Sequence, residues 1–80
     1  MEGEHLDTSE RMIVSPAAGV YAPAEVEHGM ITAGTTIGFV LVGGSSVPVV
    51  SPFDGHLMAI DAVDGERLTR HQRIAWLRAA

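Results

Sequence analysis

Four histidines, His5, His28, His56 and His71, are the side chains best suited to holding a metal or moving a proton. A structural zinc site takes four ligands at recognisable spacing, and no H-x-H or C-x-x-C pair gathers any of these four. They read as tail, turn and surface histidines, and no metal is expected. Asp54 and His56 stand two residues apart, on one side of a strand, yet no G-x-S-x-G nucleophile motif accompanies them. Ser45 and Ser46 offer hydroxyls in Val42-Gly43-Gly44-Ser45-Ser46, but a phosphate-cradling loop also needs a lysine and a following helix. The chain contains no lysine and no cysteine. Disulfides, thiolate-zinc centres and carriage of a group on a lysine amine are excluded by composition alone. No catalytic residue stands out, and the chain is not expected to be an enzyme.

The elements that would position these residues are short. Apolar runs at Met12-Ile13-Val14, Gly19-Val20-Tyr21-Ala22, Ile37 to Val42, Val47 to Val50, Leu57 to Ile60 and Ile74 to Leu77 are divided by Gly and Pro. Ile37, Phe39 and Leu41 alternate with Gly38, Val40 and Val42, the period-2 signature of a strand. No stretch long enough for a helix carries the 3.6 period, and β-branched residues dominate several runs. The predicted class is all-β. Gly43-Gly44 suits a two-residue hairpin turn, because glycine takes positive φ without steric cost. Pro48 cannot donate a ladder hydrogen bond, which puts its strand at a sheet edge or turns that position to solvent.

An internal duplication organises these runs. Ser15-Pro16-Ala17-Ala18-Gly19 matches Ser51-Pro52-Phe53-Asp54-Gly55 as S-P-x-x-G, and His28-Gly29 matches Asp64-Gly65 at the same spacing. With one extra residue in the second copy, Ile31 matches Leu68, Ile37 matches Ile74 and Phe39 matches Trp76. Self-similarity of this kind marks one supersecondary unit used twice. Two such units bury their apolar faces against each other around a pseudo-twofold core. The expected core is Val14, Val20, Ile31, Ile37, Phe39, Leu41, Val49, Leu57, Ile60, Leu68, Ile74 and Trp76. Tyr21, beside the turn at Pro23, divides evenly between a core role and a ligand platform.

With these motifs assembled, residues 11 to 78 resemble the biotinyl/lipoyl attachment domain, the carrier domain of biotin-dependent carboxylases and 2-oxo acid dehydrogenases. Ser51-Pro52-Phe53-Asp54-Gly55 is the most specific piece, similar to the A-P-F-D-G turn that follows the modified hairpin of the biotin carriers. The resemblance implies a flattened β-barrel, a barrel-sandwich hybrid of two four-stranded sheets related by a pseudo-twofold axis. It also implies an attachment lysine at the hairpin tip, within A-M-K-M. Counting back from Ser51-Pro52 puts that lysine at Gly44, with Gly43 and Ser45 in place of the methionines and Val42 in place of the alanine. Glycine has no amine to form the amide, so neither biotin nor lipoate is expected as a cofactor. Gly43-Gly44-Ser45-Ser46 reads as a compact polar turn.

The expected organisation is an N-terminal tail over residues 1–10 and one biotinyl/lipoyl-like domain over residues 11–80. A net charge of −5 is wrong for nucleic acid, whose binding draws on Lys and Arg contacts to phosphate. The apolar runs are too short to span a membrane. Met1-Glu2-Gly3-Glu4-His5 is acidic and polar, unlike a signal peptide, and a cytoplasmic location is expected. Four of the five arginines, Arg67, Arg70, Arg73 and Arg78, fall near the C-terminus, either as a solvated rim or as a basic edge for an acidic partner. The function these features point to is a noncatalytic, accessory or interaction subunit with a protein partner, carboxylase subunits by analogy. Gly43, Gly44, Ser45, Ser46, Val47, Phe53, Asp54 and His56 are the expected interface, together with the C-terminal arginines. The alternative is a small-molecule-binding β-domain with its site between the sheets. A homodimer through a strand edge is compatible with either.

Overall fold

The computed structural model describes residues 9–79, so residues 1–8 of the expected tail over residues 1–10 lie outside them. Eight strands follow in order: β1 (Glu10–Val14), β2 (Gly19–Pro23), β3 (Gly29–Ile31), β4 (Thr36–Val42), β5 (Ser45–Val50), β6 (Gly55–Ile60), β7 (Arg67–Leu68) and β8 (Arg73–Ala79). They form two four-stranded antiparallel sheets, ordered β1-β8-β6-β3 and β5-β4-β2-β7. No ladder among the described residues joins the two, so the arrangement is a sandwich rather than a closed barrel. The all-β fold of two four-stranded sheets is the one expected. Each sheet takes two strands from each half of the chain, so the halves interlock.

The duplication is visible bond by bond. Ser15 and Ser51 are fully buried. Their amides donate to Gln72 and Thr35 carbonyls at 2.8 and 2.9 Å, and their carbonyls accept from His71 and Gly34 amides at 2.9 and 2.8 Å. Each hydroxyl donates to the carbonyl two residues on, Ala17 at 2.6 Å and Phe53 at 2.8 Å. Buried serines are tolerated only when so satisfied, and S-P-x-x-G is therefore structural punctuation. Gly34 has φ 99° and its counterpart His71 has φ 72°, a left-handed conformation that costs a non-glycine residue about 1–2 kcal/mol.

The core is Ile13, Tyr21, Ile31, Ile37, Val40, Val49, Leu57, Ala62, Leu68, Ile74, Ala75 and Leu77. Five expected core residues do not belong to it: Val14 and Leu41 are exposed, and Val20, Phe39 and Trp76 are half-buried, whereas the half-buried Ile60 packs against it. The cause in β4 is a bulge, because register shifts between Thr36 and Gly38. An extra residue reverses the inward and outward parity of the strand beyond it, so Ile37 and Val40 point in while Phe39 and Leu41 point out. The matching strand β8 repeats the pattern, with Ile74, Ala75 and Leu77 buried and Trp76 half-buried. The correspondence of Phe39 with Trp76 thus holds, with both on outer faces instead of inside.

Tyr21 is a core residue. Its hydroxyl donates to the Ile37 carbonyl at 3.1 Å, and its ring lies on Gly38 so closely that a Cβ there would stand 2.5 Å from the phenol oxygen. Burial pushes the Tyr21 phenol above its ordinary pKa. In the second half the matching residues are Leu57 and Ala75, a smaller side chain in place of Tyr21 and a larger one in place of Gly38.

Candidate functional site

The hairpin tip forms as expected. Val42 pairs with Ser45, Leu41 with Ser46 and Val40 with Val47, leaving Gly43 and Gly44 as a two-residue turn. Gly43 has φ 60° whereas Gly44 is not left-handed, the pattern of a type II′ hairpin turn. Residues 41 to 46 are all exposed and Val47 is half-buried. Among the described residues, the Ser45 and Ser46 hydroxyls have no hydrogen-bond partner. A side-chain carbon added at Gly44 would meet nothing within 4 Å. The position has room for a projecting side chain, which the glycine does not supply.

The other candidates lie elsewhere. Strand β5 runs six residues from the tip to Ser51, and at about 3.3 Å per residue it puts Phe53 and Asp54 roughly 20 Å away. Phe53 packs against the core, with the Arg11 guanidinium 6.0 Å from its ring centre. Asp54 Oδ1 accepts the Ala33 amide at 2.7 Å, pinning the loop between β3 and β4. His56 sits on the outer face of the β1-β8-β6-β3 sheet, across from Arg78 on one side and Met30 on the other. Asp54 and His56 are therefore not placed as an acid/base pair. The expected interface residues occupy three places: the tip, the opposite end, and an outer face.

That outer face was missed in the sequence. Met30, His56, Met58, Arg78 and Ala79 line a shallow pocket of about 340 Å³. In the next row Met12 pairs with Trp76. Met12 is 58% exposed, Met30 63% and Met58 40%. The available signal was the alternation Glu10, Met12 in β1 and Trp76, Arg78 in β8, legible only once the bulges are known. The C-terminal arginines do not gather into one edge: Arg67 is on β7, Arg73 and Arg78 stand at opposite ends of β8, and Arg73 pairs with Asp61 at 2.9 Å.

Among the described residues no cluster of three His, Cys, Asp or Glu side chains is placed to hold a metal ion. No helix is long and apolar enough to cross a membrane. Tyr21, Ile37, Val49, Leu57, Ile74 and Leu77, each at most 2% exposed, occupy the space between the sheets.

No family model and no curated protein matches this chain. Solved structures do. A single-chain, multi-domain long-chain acyl-CoA carboxylase matches over 95% of this chain with a TM-score of 0.81 at 12% identity. The urea carboxylase of Kluyveromyces lactis matches over 96% at 0.78 and 14% identity. A succinylglutamate desuccinylase/aspartoacylase from Rhodobacter sphaeroides matches over 82% at 0.64 and 18% identity. This chain spans only 8% and 7% of the two carboxylase chains and 21% of the third. At these identities the likeness is one of fold: the interlocked eight-strand sandwich described above recurs as a small part of large carboxylase chains.

Proposed function

We propose that this chain is a carrier-type domain without a carrier residue, acting as a noncatalytic accessory subunit of an acyl-CoA carboxylase complex. The observation that best supports this reading is a fold shared with an acyl-CoA carboxylase over 95% of the chain, combined with Gly44 at the attachment position and no lysine anywhere. Fold alone does not assign function, and the tip removes covalent carriage while leaving the shape. A domain of that shape fits surfaces that receive a carrier domain. With Gly43, Gly44, Ser45, Ser46 and Val47 at the point of contact, it contributes to assembly or regulation and carries no CO₂.

The test is affinity capture of the tagged full chain from its own cells, with intact-mass measurement of the bait. Recovery of carboxylase subunits with an unmodified bait is the expected result, weakened by Gly44→Glu at the tip. An unmodified bait with no carboxylase subunit above background overturns the proposal, and so does a bait bearing added mass.

A further inference from the structure

We propose that the outer face of the β1-β8-β6-β3 sheet is a docking site for a linear segment of a partner protein carrying an acidic side chain flanked by apolar ones. The site is separate from the hairpin tip and does not depend on the carboxylase reading. Three of the chain's four methionines, Met12, Met30 and Met58, lie on this one face, joined by Trp76. Methionine is flexible and polarisable and adapts to apolar partners, and Trp and Arg are over-represented where binding energy concentrates. Side chains as large as Met12 and Met30, each more than half exposed, form a patch of the kind that marks interaction surfaces.

Charge decides the occupant. Arg78 lines the pocket and, among the described residues, has no hydrogen bond or ion pair. Glu10 is its neighbour across the β1-β8 ladder but does not line the pocket. His56 stands on the pocket side. The net charge of −5 is screened beyond about 8 Å at physiological salt, so nearby charges decide, and the one that lines the pocket is the Arg78 guanidinium. The size of the pocket, about 340 Å³, suits a few side chains. Its shallowness suits a segment that continues past it, because a small ligand needs most of its surface enclosed.

The experiment uses the full chain with its methionine methyl groups labelled with carbon-13. It is titrated with the peptide acetyl-Phe-Glu-Leu-Glu-Leu-amide and with its Gln-for-Glu counterpart. The expected result is saturable movement of the Met30 and Met58 methyl resonances. Binding should weaken about tenfold with the Gln peptide or in Arg78→Gln, the loss of one charge-assisted pair. Arg78 is exposed, so the variant folds, and unchanged Trp76 emission checks that it has. Absence of shifts, or equal shifts with both peptides, overturns the proposal. Shifts that track chain concentration without peptide also overturn it, by assigning the face to a second copy.

Discussion

Replacing Gly38 with alanine should destabilise the chain through one neighbour, the ring of Tyr21. The alanine Cβ would stand 2.5 Å from the phenol oxygen and 2.6 Å from a ring carbon, inside any permitted contact. Gly38 is buried, and overpacking at such a site costs about 1–3 kcal/mol. Alanine narrows the unfolded ensemble, which returns about 0.4–1 kcal/mol. The net loss is about 1–2 kcal/mol, or a fall in Tm of roughly 5–15 °C for a domain of this size. At the matching positions of the other half stand Leu57 and Ala75, a smaller side chain in place of the ring and alanine in place of glycine. In a Tyr21→Leu background, Gly38→Ala should cost nothing measurable or stabilise. Urea unfolding of the four chains, monitored by Trp76 emission and by circular dichroism, gives the coupling energy. A coupling below about 0.5 kcal/mol, the ordinary scatter of independent sites, would refute the reasoning. Position 38 would then require glycine for a reason other than the ring.

Three further outcomes are expected. Because burial raises the Tyr21 phenol, stability is full below the ordinary tyrosine pKa of 10.0. It falls as pH rises through the higher folded value, since the unfolded chain ionises first; urea midpoints across alkaline pH should show that fall, and Tyr21→Phe should abolish it. His71→Gly relieves the left-handed φ of 72° and should raise stability by about 0.5–1 kcal/mol, the strain relief less the entropy glycine adds to the unfolded state; an unchanged or lower urea midpoint refutes this. The triple change Gly43→Met, Gly44→Lys and Ser45→Met should let a biotin ligase add one biotinyl group, read by intact mass, while the parent chain stays unmodified. Methionine at the positive φ of Gly43 should cost that variant about 1–2 kcal/mol.

How far the sequence could be read depended on which physical constraint acted at each position. Gly43-Gly44 announced its turn because few residues satisfy a hairpin of that length, and the S-P-x-x-G pair announced the duplication. Those two signals carried the fold, including the edge position of β5 implied by Pro48. Parity was not legible. Periodicity predicts alternate faces only while a strand runs without an extra residue, and the bulges in β4, β6 and β8 are not written in local residue types. Phe39 and Trp76 were therefore assigned inward, and Ile13, Val40 and Leu77 were missed. The same parity hid the methionine face. The hydrogen bond from the Ala33 amide to Asp54 was not legible either, because its partners are 21 residues apart in the chain.

The Ala79 amide donates to the Ser9 carbonyl at 2.6 Å, so the described chain enters and leaves the fold at one point. Ala79 also pairs with Gly55, which comes just after the turn at the far end of β5, so that point lies at the end opposite Gly43-Gly44. By the pseudo-twofold relation, the pair of ends occupies the place that the hairpin turn occupies in the other sheet. A short linker from Ala79 to Ser9 and a cut between Gly43 and Gly44 would therefore yield a permuted chain with every strand pair intact. Such a domain can be spliced into a host loop as a single stalk-mounted module. Its tip residues Gly43 to Ser46 are exposed, so side chains there can change without any change in the buried core.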